Sequence, residues 1–116
     1  MKRLALICTL FLFGAAAHAM HTVKEYRDIK AKGGIEWTTL ELVIGGFGSG
    51  LEVANVLYER RGAQPLYCQP PKLALAATNY IKILDDEIER SPPPDTTWIE
   101  TILPFALAQV FPCAKK

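Results

Sequence analysis

WTTLELVIGGFGSGLEVANVLYERR, residues 37–61, is the stretch on which the fold turns. Leu40, Val43, Ile44, Phe47, Leu51, Ala54, Val56, Leu57 and Tyr58 recur near helical spacing and Gly62 follows as a stop, so a central helix is expected. Gly45, Gly46, Gly48 and Gly50 stand in its middle, each costing about 0.5–1 kcal/mol relative to alanine in a helix. Two arrangements would account for them. In one, Leu42 to Ile44 ends a strand and the glycines cradle a phosphate. In the other, Gly46, Gly50 and Ala54 fall four residues apart on one face and let a second helix approach closely. A dinucleotide fingerprint needs a glycine where Leu51 stands, and no Gly-Lys-Ser/Thr is present, so close packing is the reading adopted, with a kink or break near the glycines as its variant.

Outward from this stretch the pattern stays helical. Thr22 and Glu25 have the form of a capping box, and a short peripheral helix runs to Lys32 until Gly33-Gly34 stops it. Ala63 to Gln69 reads as a loop carrying Cys68. Pro70-Pro71 then opens a helix to about Arg90, proline being favoured in a first turn. Its stripe is Leu73, Ala76, Ala77, Tyr80, Ile83, Leu84 and Ile88, and Lys82, Asp85, Asp86, Glu87 and Glu89 form a solvated face. Ser91-Pro92-Pro93-Pro94-Asp95 must break that helix and stiffen the connector. Asp95 or Thr96 is expected to cap a last helix through Trp98, Ile99, Ile102, Leu103, Phe105, Ala106 and Val110, kinked at Pro104 and followed by Phe111-Pro112-Cys113. The expected fold is all-α: a small bundle of about four helices stapled by one disulfide.

The N-terminus reads as an address. Lys2 and Arg3 precede the apolar run Leu4 to Phe13, and Ala17-His18-Ala19 has the small-x-small form of a cleavage site. Residues 1–19 are thus expected to be a cleaved secretory signal and residues 20–116 a single helical domain in the periplasm. The apolar stretch from Leu4 to Ala17 is shorter than the roughly 20 residues of a spanning helix, no later segment reads as long and apolar enough, and no membrane insertion is expected after cleavage. Cys8 lies inside the apolar run after Ile7 rather than behind it, which disfavours lipidation. Loss of Lys2 and Arg3 leaves 11 basic against 12 acidic residues, a net charge of −1 in place of +1. No basic run tracks a phosphate backbone, so nucleic acid is not an expected partner.

Cleavage also removes Cys8 and leaves Cys68 and Cys113, an even pair that reads as a disulfide in an oxidising compartment. A domain of this size buries only about two-thirds of its unfolded surface and gains from such reinforcement. A metal pair or a Cys–His nucleophile lacks a partner, because His18 falls in the signal and His21 sits beside the new N-terminus in a segment expected to fray. The carboxylates of residues 85–89 share one helix with no evident cleft. No catalytic residue, metal or cofactor is expected. Trp37, Tyr58, Tyr67, Trp98 and Phe105 sit in apolar patterns and read as core.

Trp37, the glycine-rich helix with Gly45 and Gly50, Ala54-Asn55, Leu66-Tyr67-Cys68 with Pro70, and Ala106-Leu107 before Phe111-Pro112-Cys113 together form a pattern from about residue 37 to 113. This pattern resembles the Rap/Tai family of type VI secretion immunity proteins. Ser49 departs from it, standing where many members carry an acidic residue. The resemblance implies an all-helical, disulfide-linked protein, often a homodimer, that binds a peptidoglycan-cleaving amidase in the periplasm and blocks its cysteine–histidine active site.

An inhibitor needs rigid protrusions rather than catalytic groups, since preorganised elements lose less entropy on binding. The proline connector supplies one, and Glu87, Glu89, Arg90, Ser91, Pro92, Pro93, Pro94 and Asp95 are the expected partner contacts, their charges complementary to a basic rim. The competing expectation is a small periplasmic acid-stress chaperone or general interaction protein, which shares size, helicity and a single disulfide.

Overall fold

The computed structural model of the chain describes residues 20–115; the signal read at residues 1–19 lies outside them. Four helices follow in order: α1 (Val23–Lys32), α2 (Gly34–Arg60), α3 (Ala77–Arg90) and α4 (Ile99–Val110). Extended pairing among the described residues is one isolated antiparallel bridge between Thr22 and Trp98. The expected all-α bundle is the fold observed.

The capping box forms as read: Glu25 N–H donates to the Thr22 hydroxyl (3.2 Å) and Thr22 N–H to the Glu25 carboxylate (2.7 Å). Gly33 and Gly34 both take φ of 70°, a left-handed conformation that glycine adopts without a steric penalty and that turns the chain from α1 into α2. α1 is not peripheral, because Val23 and Tyr26 are fully buried in the core.

α2 runs 27 residues without a break across its glycines. Packing explains the tolerance. A β-carbon on Gly45 would stand 2.9 Å from the Ala77 β-carbon, and one on Gly48 only 2.5 Å from the Tyr80 ring. The close approach by α3 therefore falls on Gly45 and Gly48. Gly46 and Gly50, expected to serve this purpose, have no described atom beyond the adjoining helix backbone within 4 Å of such a β-carbon, and Ala54 is half-buried. The helix period accounts for the difference: Leu40, Ile44 and Gly48 face inward, and two residues further on the helix has turned about 200°.

α3 begins at Ala77, not at Pro70. Pro70 and Pro71 form a single turn closed by Leu73 N–H to the Pro70 carbonyl (3.0 Å). The Gln69 amide then donates to the Leu73 carbonyl, and the Asn79 side chain accepts from Ala76 N–H (2.8 Å), which sets the helix start. α4 likewise begins later than expected. Trp98 rather than Asp95 or Thr96 is its N-cap, and the helix passes through Pro104. Asp95 instead faces α1: its carbonyl accepts from Lys24 N–H (3.1 Å) and that of Thr97 from Val23 N–H (2.8 Å).

Tyr80, Leu84 and Ile88 of α3 meet Leu40 and Ile44 of α2 and Leu103 and Leu107 of α4 in one core. Cys68 and Cys113 are bonded, with S–S of 2.04 Å and Cα atoms 4.9 Å apart. Beside the bridge Cys68 N–H donates to the Phe111 carbonyl (2.8 Å). The loop after α2 is thereby tied to the end of α4.

Candidate functional site

The end of the bundle where α3 gives way to α4 is built by the prolines. Ser91 N–H closes α3 onto the Glu87 carbonyl (2.9 Å), and Thr97 N–H closes a turn onto the Pro94 carbonyl (2.9 Å). Between these anchors Ser91, Pro92 and Pro94 are exposed and Pro93 is half-buried. The segment is held at both ends and stiff in its middle, because each proline fixes its own φ. Asp95 adds a side-chain tie to Arg27 (3.0 Å).

The structure brings Glu87, Arg90 and the proline segment together on this ridge, with Glu89 exposed on its flank. Three of its four charges are already engaged within the chain: Glu87 with Arg90, and Asp95 with Arg27 of α1. Asp85, read as part of a solvated face, is a structural tie. Its carboxylate accepts from the buried Tyr26 hydroxyl (2.6 Å) and pairs with Lys30, and burial followed by this carboxylate holds the Tyr26 phenol well above its ordinary pKa. Lys30 also stands 5.5 Å and 5.6 Å from the Tyr26 and Trp37 ring centres. α1 is thereby tied to α3 through Asp85 and to α2 through Trp37.

The aromatic residues divide. Tyr67 is buried and Trp37 half-buried, whereas Tyr58 and Trp98 are well exposed and Phe105 is 71% exposed. The apolar pattern did not distinguish them because helical spacing fixes a face, not what covers it. His21, expected to fray, is held by its N–H to the Glu100 carboxylate (3.0 Å) and by its carbonyl, which accepts from Ile99 N–H (2.9 Å).

α2 carries a second feature. Leu42 is 72% exposed and Val53 61%, with Leu57 and the open Gly46 and Gly50 nearby on the outer side. Contrary to the sequence reading, α2 is long and apolar enough by length and composition to cross a membrane, even though its inner face packs into the bundle. Among the described residues no group of three or more His, Cys, Asp or Glu side chains is placed to hold a metal.

Asn55 escaped the sequence reading except as part of the family pattern. It is buried, its amide donates to the Tyr67 carbonyl (2.9 Å), and its side-chain oxygen accepts from Leu66 N–H (2.9 Å). A lone asparagine inside an apolar stripe was the available signal. Its two bonds hold Tyr67 and the Cys68 loop against α2. Burial, then the neighbouring Tyr80 and Glu52, pushes the Tyr67 phenol up to about 12.

Compared with known proteins, the chain matches no family model, no curated protein and no solved structure.

Proposed function

We propose that the chain is exported to the periplasm and acts there as an immunity protein, binding a type VI secreted peptidoglycan amidase and covering its active site with the ridge from Glu87 to Asp95. The observation that carries this reading is the ridge itself, exposed at Pro92 and Pro94 and clamped at Ser91 and Asp95. A protrusion ordered before binding loses little entropy when it enters a cleft. Export is supported by the apolar N-terminal segment and by the Cys68–Cys113 bond, which belongs to an oxidising compartment. A second copy of the chain against the outer side of α2, across Gly46 and Gly50, is part of the same proposal.

The test is protection. Cells directing the candidate amidase to their periplasm should lyse, and co-production of the full chain should restore growth. Continued lysis with the chain present at equal or greater amount removes the immunity role.

The exposed Leu42 and Val53 favour a second reading, a chaperone whose apolar face binds unfolded clients. It predicts suppression of aggregation for several unrelated proteins at about pH 3, where carboxylates are protonated. Protection against a single amidase at neutral pH separates the two.

A further inference from the structure

Between the C-terminal half of α2 and the Cys68 loop lies an open cavity of about 300 Å³. Among the described residues no lysine, arginine or histidine lines it. Glu52 and Glu59 project from α2 on one side, Tyr67 and Gln69 from the loop on the other, and Val56, Pro70, Pro71 and Leu73 supply apolar wall.

Its hydrogen-bonding capacity leans towards acceptors. One N–H of the Asn55 amide is used on the Tyr67 carbonyl, and the Gln69 amide donates to the Leu73 carbonyl and, at 3.5 Å, to the Glu52 carboxylate. Among the described residues the Gln69 side-chain oxygen and the Tyr67 hydroxyl have no hydrogen-bond partner, although Tyr67 is only 1% exposed. A buried polar group without a partner is unfavourable and is ordinarily satisfied. Here two such groups and two carboxylates border one space, and what remains there is chiefly lone pairs.

We propose that this cavity is a binding site for an organic cation, a guanidinium or primary ammonium group on an aliphatic stem. The cation's N–H groups satisfy the Tyr67 and Gln69 oxygens and pair with Glu52. Its methylenes lie along Val56, Pro70 and Leu73, as the stem of a basic side chain lies on apolar surface while its head stays polar. Such a group reaches the site either as a free amine or as the arginine or lysine side chain of a bound protein. The chemistry at the cavity is the same for both.

Titration of the isotope-labelled, disulfide-bonded chain with agmatine and with the capped peptide Gly-Arg-Gly, followed by amide NMR, tests the site. Saturable shifts centred on Glu52, Asn55, Tyr67 and Gln69 are expected with both probes. Tighter binding of agmatine assigns the site to a free amine, and tighter binding of the peptide to a protein side chain. Glu52→Gln should weaken binding about tenfold or more, because it removes a charge-assisted bond. Tyr67→Phe removes only the partnerless hydroxyl, so it should weaken binding while the melting temperature is kept. Absence of saturable shifts at these residues with either probe, or affinities unchanged in both variants, would overturn the proposal.

Discussion

The ring of Tyr80 fills the space that a β-carbon on Gly48 would require, its nearest atom 2.5 Å from that position. The glycine is therefore a packing residue, and the ring it admits is fully buried between α2 and the rest of the core. Gly48→Ala must push the ring or the helix aside, and overpacking of this kind costs about 1–3 kcal/mol. Gly50→Ala meets open space and gains helix propensity, up to about 1 kcal/mol. Thermal unfolding should rank the variants Gly50→Ala, wild type, Gly48→Ala from most to least stable. The reverse order would show that α3 crosses α2 elsewhere.

Open space at Gly46 and Gly50 is also where a second copy would dock. Gly46→Leu should leave the helical signal of the monomer intact, since among the described residues nothing beyond the adjoining helix backbone lies within 4 Å of the added β-carbon, yet it should prevent close pairing of two α2 helices. Sedimentation is expected to give a dimer for the wild type and a monomer for the variant. A monomeric wild type at the highest soluble concentration would discard the dimer.

The bond between Cys68 and Cys113 closes a loop with a sequence separation of 45. In the chain-entropy account a loop of this length is worth about 4 kcal/mol, a large share of the margin of a small domain. Replacing both cysteines by serine should lower the urea midpoint sharply and raise the slope, since the unfolded chain is then free to expand. An unchanged midpoint would mean that the packing of Cys68 N–H on the Phe111 carbonyl and the Tyr67 and Phe111 rings suffices alone.

Three buried phenols make the fold sensitive to alkali. Burial raises Tyr26, Tyr67 and Tyr80 above their ordinary pKa of 10.0, with Asp85 adding to the effect on Tyr26, Tyr80 and Glu52 on Tyr67, and Glu52 on Tyr80. The fold thus favours the protonated phenol relative to the unfolded chain. This contribution is complete below about pH 10 and is lost as pH rises through the folded value, about 12 for Tyr67. Stability should fall between these limits, with tyrosinate absorbance rising together with loss of the near-ultraviolet circular dichroism. Ionisation of all tyrosines near pH 10 with the fold intact would place these rings at the surface.

Asn55 joins α2 to the loop through two hydrogen bonds, each about 2.9 Å long. Asn55→Ala leaves the Leu66 N–H and the Tyr67 carbonyl without those partners, a loss of about 2–6 kcal/mol if each unsatisfied group costs about 1–3. Denaturant unfolding measures it, and a loss below about 0.5 kcal/mol, the range of an ordinary surface change, would show that the loop is held without Asn55.

Local chemistry was the legible part of the sequence. Thr22 and Glu25 announced their capping box, the prolines of residues 92–94 their break, and the surviving cysteine pair its bond, because each depends on residues whose identity alone limits the backbone or the partner. The glycines of α2 were legible as a helix–helix contact but not in phase, since the face presented depends on where α3 crosses. Pro70-Pro71 misled for the same reason: a first-turn preference was overridden by the Gln69 and Asn79 side chains, which cap other groups. The ridge from Glu87 to Asp95 was found as a segment, whereas its internal pairs with Arg27 and Arg90 needed the tertiary arrangement. The cavity at Glu52 and Tyr67 is built from residues 15 positions apart that no spacing rule connects.

The central claim is that the proline ridge is a preformed inhibitory surface, and the direct measurement is inhibition. The disulfide-bonded chain would be immobilised, the proteins it retains from periplasmic and secreted fractions of the same cells identified, and the retained amidase assayed for muropeptide release with and without added chain. The account predicts one stoichiometric cell-wall amidase, its activity abolished by the wild type and largely preserved when Pro92, Pro93 and Pro94 are replaced by glycine in a variant whose melting curve is otherwise native. Undiminished muropeptide release in the presence of excess wild-type chain, or equal inhibition by the glycine variant, would contradict it.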